Sequence, residues 1–180
     1  MKAAILYYGK FGSTRQYAEW LSEATGLPVF DLRKNAPEPW DYDLLILGTS
    51  IIVGKPAIAR WMKKNWNMLW GRKILLFSVS GTAPDHPDLQ TWMHTHLGEE
   101  ILSGISYVPL RGRLIPEDLP WWIRTMLKMV ARASNDPETK KRMSEGFDYM
   151  DRDSLEPILT WYRKQTAPVV TKKDRVPELV

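Results

Sequence analysis

The chain has 180 residues, of which 44% are hydrophobic and 26% charged, which is enough for one domain with a full core but not for two large ones. It contains no cysteine, which excludes disulfides, zinc–thiolate sites and iron–sulfur clusters, so redox chemistry would require a bound cofactor. The net charge of +4 favours anionic partners. With neither a signal-peptide pattern nor an apolar run long enough to span a membrane, we expect a cytoplasmic protein.

The first half of the chain alternates apolar runs with amphipathic segments. An apolar run predicts a first strand over residues 2–8, and helical spacing predicts a helix over 13–24 that stops at Gly26. Shorter apolar runs predict a second strand over 28–32 and a third over 43–48.

The second half continues the alternation. A helix is predicted from Pro56, a residue suited to the first helical position, to Gly71. The remaining predicted elements are a fourth strand over 72–78, a helix over 87–97, a fifth strand over 105–110 and a last helix over 154–164.

This order predicts an α/β fold with a doubly wound, five-stranded parallel sheet of order 2-1-3-4-5. Residues 1–165 are expected to form a single domain, with 111–150 as an inserted segment and 166–180 as a flexible tail. Sheets of this kind bind ligands outside the carboxyl ends of their strands, at the point where strand order reverses. The loops after strands one, three and four should therefore meet at one site.

The first of these loops suits a phosphate group. It has two glycines and leads directly into a helix, so backbone N–H groups and the helix dipole converge on one point. It matches neither the dinucleotide fingerprint nor the Walker A pattern, and a simple strand-to-helix turn with a serine cap is the alternative. The candidate residues are Gly9, Lys10, Phe11, Gly12, Ser13 and Thr14.

The second and third loops are rich in small and apolar residues. They offer hydroxyls, backbone amides and apolar surface, but no acid–base pair, nucleophile or metal ligand, so we predict neither a catalytic side chain nor a metal site. A flat heteroaromatic ring needs a clamp of this kind, and a flavin would bring its own redox chemistry. The candidate residues are Thr49, Ser50, Ile51, Ile52 and Gly54 in the second loop, and Ser78, Val79, Ser80, Gly81 and Thr82 in the third.

The inserted segment contains a predicted basic helix over Leu119–Ala133. Three cations, Arg124, Lys128 and Arg132, stack on one face, and the helix contains no acidic residue. A basic stripe with an apolar face indicates a peripheral helix on anionic lipid, although that face could instead cover the core or contact a homodimer partner. The helix is expected to lie outside the three ligand loops. Its predicted apolar face comprises Trp122, Met126, Met129, Val130 and Ala133, flanked by Ile123 and Leu127.

Two other groups of residues carry no predicted site. His94 and His96 are two positions apart, so on a helix they point to different faces and make a poor metal pair. Trp66 and Trp70 lack the basic groove of a nucleic-acid platform, and no nucleic-acid partner is expected.

The order of elements and the loop ending Gly12-Ser13-Thr14 resemble flavodoxins, whose phosphate loop has the pattern S/T-x-T-G-x-T. Gly12 and Thr14 match this pattern, whereas Gly9 and Phe11 replace two hydroxyl residues. The resemblance implies that the chain binds one FMN. The two replacements imply the loss of two side-chain hydrogen bonds to the phosphate.

Three further segments resemble the flavodoxin-domain subfamily that includes menaquinone-dependent protoporphyrinogen dehydrogenase. This resemblance implies an FMN oxidoreductase that takes electrons from a reduced tetrapyrrole and passes them to a quinone, both supplied from outside the chain. The alternatives are a flavodoxin-type carrier that serves a redox protein, which the basic charge disfavours, and an interaction module that has lost FMN. The segments are 48–51 with Gly54, 77–79, and 112–114 followed by Leu119, Arg124 and 126–129.

Overall fold

The computed structural model of the protein describes residues 1–34, 36–119, 121–133, 137, 140–141 and 145–167. Its central sheet has five parallel strands in the order β2-β1-β3-β5-β6, which confirms the predicted order. The strands are β1 (Ala3–Tyr8), β2 (Val29–Asp31), β3 (Leu44–Ile52), β5 (Lys73–Ser80) and β6 (Ser106–Arg111), with the short β4 (Lys55–Pro56) antiparallel to β3.

Helices cover both faces of the sheet, as the alternation of elements predicted. They are α1 (Ser13–Thr25), α2 (Ala59–Leu69), α3 (Pro87–Leu97), α4 (Glu99–Ser103), α5 (Trp121–Ala133) and α6 (Glu156–Thr166). Short 3₁₀ turns span Pro39–Asp41, Pro116–Asp118 and Asp153–Leu155. The predicted tail over 166–180 lies outside the described residues from 168 onward, and Thr166 ends α6.

The core consists of two apolar layers, one on each face of the sheet. Alternate residues of β1 show the division, since Leu6 packs in the layer beneath α2 and α3 while Ile5 packs in the layer beneath α1 and α6. Both side chains are fully buried. Because central strands are buried on both faces, their sequences show continuous apolar runs and little alternation, which is why the strands were recognisable.

The predicted end of the third strand at Gly48 is wrong. β3 continues to Ile52, and a two-residue turn, Val53–Gly54, leads back into β4, where Ile52 pairs with Lys55. The predicted second loop is therefore mostly strand. Likewise β5 continues to Ser80, so that only Gly81 and Thr82 of the predicted third loop follow the strand.

The predicted start of the second helix at Pro56 is also wrong, because α2 begins at Ala59. The backbone N–H of Ala57 donates to the Ser50 carbonyl (2.9 Å), and that of Ile58 donates to Thr49 Oγ1 (3.1 Å). These bonds hold the chain beside β3 for one more turn. Proline remains compatible with this position because it has no N–H to leave unpaired at a sheet edge.

The inserted segment is joined to the domain through a narrow neck. There β7 (Arg113–Leu114) pairs antiparallel with β8 (Phe147–Asp148). The buried Tyr17 hydroxyl donates to the Arg111 carbonyl (2.7 Å) and accepts from the Asp151 N–H (3.2 Å). One hydroxyl therefore fastens the chain where it leaves the domain and where it returns.

Candidate functional site

A cavity of about 580 Å³ opens at the carboxyl ends of β1, β3 and β5, the point where strand order reverses. This volume lies within the usual range of small-molecule sites. The three predicted loops meet there, as expected from the fold. The predicted residues that line it are Phe11, Ser13, Thr14, Ser50, Ile51, Ile52, Gly54, Val79, Ser80, Gly81 and Thr82.

The start of α1 forms one end of the cavity. Gly12 precedes the helix with φ of +89°, a conformation that glycine adopts readily, and no side chain caps the helix. The first N–H groups of a helix have no acceptor within it, and the helix dipole makes this end positive. With Ser13 and Thr14 in the cavity wall, this end of the cavity favours an anionic group.

Gly9 has a steric role in the first loop. A Cβ atom at this position would lie 2.7 Å from Thr14 Cβ, so only glycine lets the Thr14 side chain approach the end of β1. Thr14 is only 2% exposed. The space that a hydroxyl side chain at position 9 would need is therefore occupied by Thr14, and Gly9 itself does not line the cavity.

Ser13 joins the first loop to the inserted segment. Its Oγ accepts a hydrogen bond from the Arg113 N–H (3.1 Å) and lies 3.3 Å from the Arg113 carbonyl, to which it donates. Gly112 lets the backbone before Arg113 lie this close to the first loop, since a Cβ at position 112 would lie 2.8 Å from Val79 Cγ1 and 3.4 Å from Ser13 Cβ. These contacts bring Arg113 into the cavity wall, a residue that loop patterns alone did not indicate.

Two predicted hydroxyls do not line the cavity. Thr49 Oγ1 accepts from the Ile58 N–H and donates to the Ser50 carbonyl (3.1 Å), which stabilises the turn before α2. Ser78 Oγ lies 2.7 Å from the Tyr107 hydroxyl. Burial raises the pKa of Tyr107 above its ordinary value, and the hydrogen bond with Ser78 acts in the opposite direction. Both hydroxyls already have partners within the protein.

Ser50 differs from its neighbour Thr49. Its side chain lines the cavity and its Oγ is buried, yet this oxygen has no hydrogen-bond partner among the described residues. A buried polar atom without a partner is costly, by about 1–3 kcal/mol. A polar group of a ligand that reached Ser50 Oγ would supply the missing hydrogen-bond partner.

Aromatic side chains that the sequence did not indicate complete the walls. Trp92 of α3 packs against Gly54, where a Cβ would lie 2.9 Å from Trp92 Nε1. Phe147 packs against Gly81, where a Cβ would lie 2.5 Å from Phe147 Cζ. Both contacts join residues far apart in sequence, and the only local signal is the glycine that admits each ring.

The basic helix lies outside the three ligand loops, as expected, but it lines the same cavity as they do. Ile123, Met126 and Leu127 of α5 line the cavity. The helix is attached by Ile123, Leu127 and Ala131, at intervals of four residues, and the first and last of these are buried. The three cations of α5 line neither this cavity nor its neighbour.

Most of the predicted apolar face of α5 points to solvent. Trp122, Met126 and Met129 are 56%, 40% and 63% exposed, so these three side chains do not cover the core. The reason is that the flanking stripe of Ile123 and Leu127 makes the contact instead. The side chains of Val130 and Ala133, predicted on the same face, lie outside those that the structure describes.

A second cavity of about 640 Å³ adjoins the first. The residues that line both are Phe11, Ile52, Val53, Arg113, Leu114, Ile123 and Met126. Its walls are mainly apolar, and the described residues that line it include the cations Lys10 and Arg113. Among the described residues, no Asp, Glu or His lines either cavity. Across the described part of the chain, no group of acidic or histidine side chains could hold a metal ion, and no helix is long and apolar enough to cross a membrane.

Comparison with known families supports the same fold. A family model described as a flavodoxin domain matches residues 4–141 of the chain. The chain belongs to this flavodoxin-domain family. No functionally curated protein matches it significantly.

Several solved structures are similar to this flavodoxin-domain protein. A flavoprotein in complex with FMN from Lactobacillus acidophilus is 18% identical, with a TM-score of 0.43, over 61% of this chain and 91% of that chain. An NADPH-quinone reductase from P. pentosaceus is 10% identical, with a TM-score of 0.45, over 76% of this chain and 99% of that one. Likenesses this distant carry no argument about the activity of the chain.

Proposed function

We propose that this flavodoxin-domain protein binds one FMN in the first cavity and acts as an FMN-dependent oxidoreductase. The observation that carries the proposal is the combination found in one cavity at the carboxyl edge of the sheet. A helix start that favours an anion lies at one end, apolar and aromatic walls lie along the sides, and the wall includes Ser50, whose buried hydroxyl has no hydrogen-bond partner among the described residues.

The residues present fit FMN, whose phosphate would be held by the first N–H groups of α1 beside Thr14. The ring would lie between the ends of β3 and β5, with Trp92 and Phe147 in the surrounding wall. When bound, FMN supplies the chemistry of accepting and donating electrons or hydride. The protein's own residues would then bind it, orient it and exclude water.

In its finer form, the proposal is an oxidoreductase of the protoporphyrinogen-dehydrogenase type, with a reduced tetrapyrrole as donor and a quinone as acceptor. Both would come from outside the chain. The second cavity supports this form, because it gives a bulky apolar molecule a place beside the flavin, with Lys10 and Arg113 available to an anionic group. The cover over the cavity by Ile123 and Leu127 of α5 disfavours a carrier that must expose its flavin to many redox proteins.

Titration of the apo-protein with FMN, followed by flavin fluorescence quenching, tests the proposal. Thr14→Asp places a negative charge in the cavity wall at the start of α1, where we expect FMN affinity to fall about tenfold or more. Thr14→Asn is the matched control, because it has the same size without the charge, and should retain most of the affinity. Equal affinity in the two variants, or no binding by the wild type, would contradict the proposed site.

A further inference from the structure

We propose that α5 and the Val53–Gly54 turn together form a docking surface for an anionic lipid bilayer, and that this surface surrounds the mouth of the second cavity. Trp122 and Met126 of α5 and Val53 of the turn all line the second cavity and are all exposed. Lining residues that are also exposed lie where a cavity meets solvent. The turn and the helix therefore share one face of the molecule.

Exposed apolar side chains are concentrated on this face. Trp121, Trp122 and Met129 are 73%, 56% and 63% exposed, and Val53 is 84% exposed. Of the other large hydrophobic side chains that are exposed in the described residues, Met68 and Trp70 lie at the opposite end of the sheet, where α2 ends and β5 begins. A contiguous exposed apolar patch marks a surface that another phase or molecule covers.

The charges around this patch indicate what covers it. At 100° per residue, Trp122, Met126 and Met129 lie on one side of α5, about 130° around the helix from the side that attaches it to the domain. Arg124, Lys128 and Arg132 lie between these two sides, all are exposed, and α5 contains no acidic residue. An apolar stripe with flanking cations fits the headgroup region of an anionic bilayer.

The backbone of Val53 supports the same interpretation independently. With φ of +49°, it is the one non-glycine residue with positive φ in the described part of the chain, and Gly54 follows with φ of +72°. Two-residue turns with positive φ at both positions favour asparagine at the first position, and a β-branched residue there strains the backbone. Because its side chain is almost fully exposed, little packing within the chain offsets this strain.

A second copy of the chain fits this face less well than lipid. In a symmetric dimer the same patch would meet itself, so the three cations of one α5 would lie beside the three of the other. Like charges at an interface oppose association. On an anionic bilayer the same cations are attracted to the surface.

This arrangement would give the second cavity an opening toward the bilayer. The next step rests on the proposed FMN function. Through this opening a lipid-soluble electron acceptor would reach the first cavity without crossing water, because the two cavities share lining residues. The acceptor class is then an apolar molecule that partitions into membranes.

Sedimentation with vesicles tests the docking surface directly, with phosphatidylcholine vesicles compared with vesicles that also contain phosphatidylglycerol. The wild type should bind the anionic vesicles at least tenfold more tightly, and high salt should weaken this binding. Reversing all three cations (Arg124→Glu, Lys128→Glu and Arg132→Glu) should weaken it about a hundredfold or more.

A matched control makes the same change in net charge on exposed residues outside α5 and both cavities, and it should retain most of the binding. This control is the triple variant Lys63→Glu, Lys64→Glu and Lys164→Glu.

Val53→Asn separates docking from folding. It should raise the melting temperature, because asparagine suits the turn, while it lowers vesicle affinity severalfold through the loss of an apolar contact. Binding that survives both Val53→Asn and the triple reversal would overturn the proposal. Three results with the wild type would also overturn it: no binding to anionic vesicles, dimerisation through α5 in analytical ultracentrifugation, or displacement from the vesicles by free glycerol phosphate. Vesicle binding should be measured both with and without FMN. A failure of the docking surface can then be distinguished from a failure to bind the cofactor.

Discussion

At the scale of single residues, the site depends on glycines that make room for distant aromatic rings. Phe147 reaches the cavity only because Gly81 has no Cβ, and Phe147 in turn stacks on Tyr149 with ring centroids 5.0 Å apart. The small-residue loops were visible in the sequence, but their aromatic partners were not. A contact between residues 81 and 147 leaves no local pattern in the sequence, since neither residue alters the hydrophobic periodicity of the segment that contains the other.

We expect Gly81→Ala to destabilise the protein by about 1–3 kcal/mol, because the added methyl would displace the Phe147 ring from a packed position. Adding Phe147→Leu to Gly81→Ala should restore part of the lost stability, since a smaller side chain leaves room for the methyl. Thermal melts followed by circular dichroism measure both changes. A double variant no more stable than Gly81→Ala alone would show that the ring contact does not explain the loss.

Thr49 and Ser50 are adjacent hydroxyl residues with different environments, and substitution should separate their roles. Thr49→Val leaves the buried Ile58 N–H without its acceptor, so we expect about 1–3 kcal/mol of destabilisation with FMN affinity nearly unchanged. Ser50→Ala removes an unpartnered hydroxyl that lines the cavity. Because a buried hydroxyl without a partner is costly, Ser50→Ala should raise the free energy of unfolding in urea by about 1–3 kcal/mol, and it should lower FMN affinity severalfold. The reverse pattern would contradict these assignments.

None of the described residues that line the cavities is acidic or a histidine, and a further prediction follows from this. His86 Nδ1 accepts from the Asp88 N–H at the start of α3, and His94 lies 3.1 Å from Glu99, so both have roles elsewhere. Alanine at His86, His94 and His96 should therefore leave reduction of bound flavin by dithionite, and any dehydrogenase turnover, nearly intact. A loss of about a hundredfold in one variant, typical of a missing general acid or base, would show that the chemistry involves a histidine.

At the scale of elements, the sequence predicted which segments are strands and helices better than it predicted where they end. Gly48 and the small residues after it indicated a loop, yet Gly48 lies inside β3, where only glycine leaves room for the Phe77 ring of the neighbouring strand. The α5 helix was predicted correctly as a helix, but the face that attaches to the domain was not. The apolar arc of this helix is wider than the area that contacts the domain. The sequence therefore does not determine which part of the arc is buried, and only the burial of Ile123 and Ala131 in the folded protein decides it.

At the scale of the whole molecule, strand order followed from the alternation of elements, because right-handed crossovers allow few arrangements of such a sheet. The site position followed from strand order, since the carboxyl ends of β1, β3 and β5 meet where the order reverses. The fold of the inserted segment onto that site could not be predicted in this way. Its position depends on a few long-range bonds, such as those of Ser13 to Arg113, that have no counterpart in local periodicity.

The neck formed by β7 and β8 also means that the segment between these two strands could be removed by protein engineering. Leu114 and Phe147 face each other across an antiparallel pair, so an Asn-Gly turn could replace residues 115–146, and none of the described residues of that segment belongs to either core layer. We expect the shortened chain to unfold cooperatively, within a few degrees of the full-length protein, and to lose vesicle binding. On that expectation, the covering segment could be exchanged by design while the flavodoxin-domain scaffold is kept.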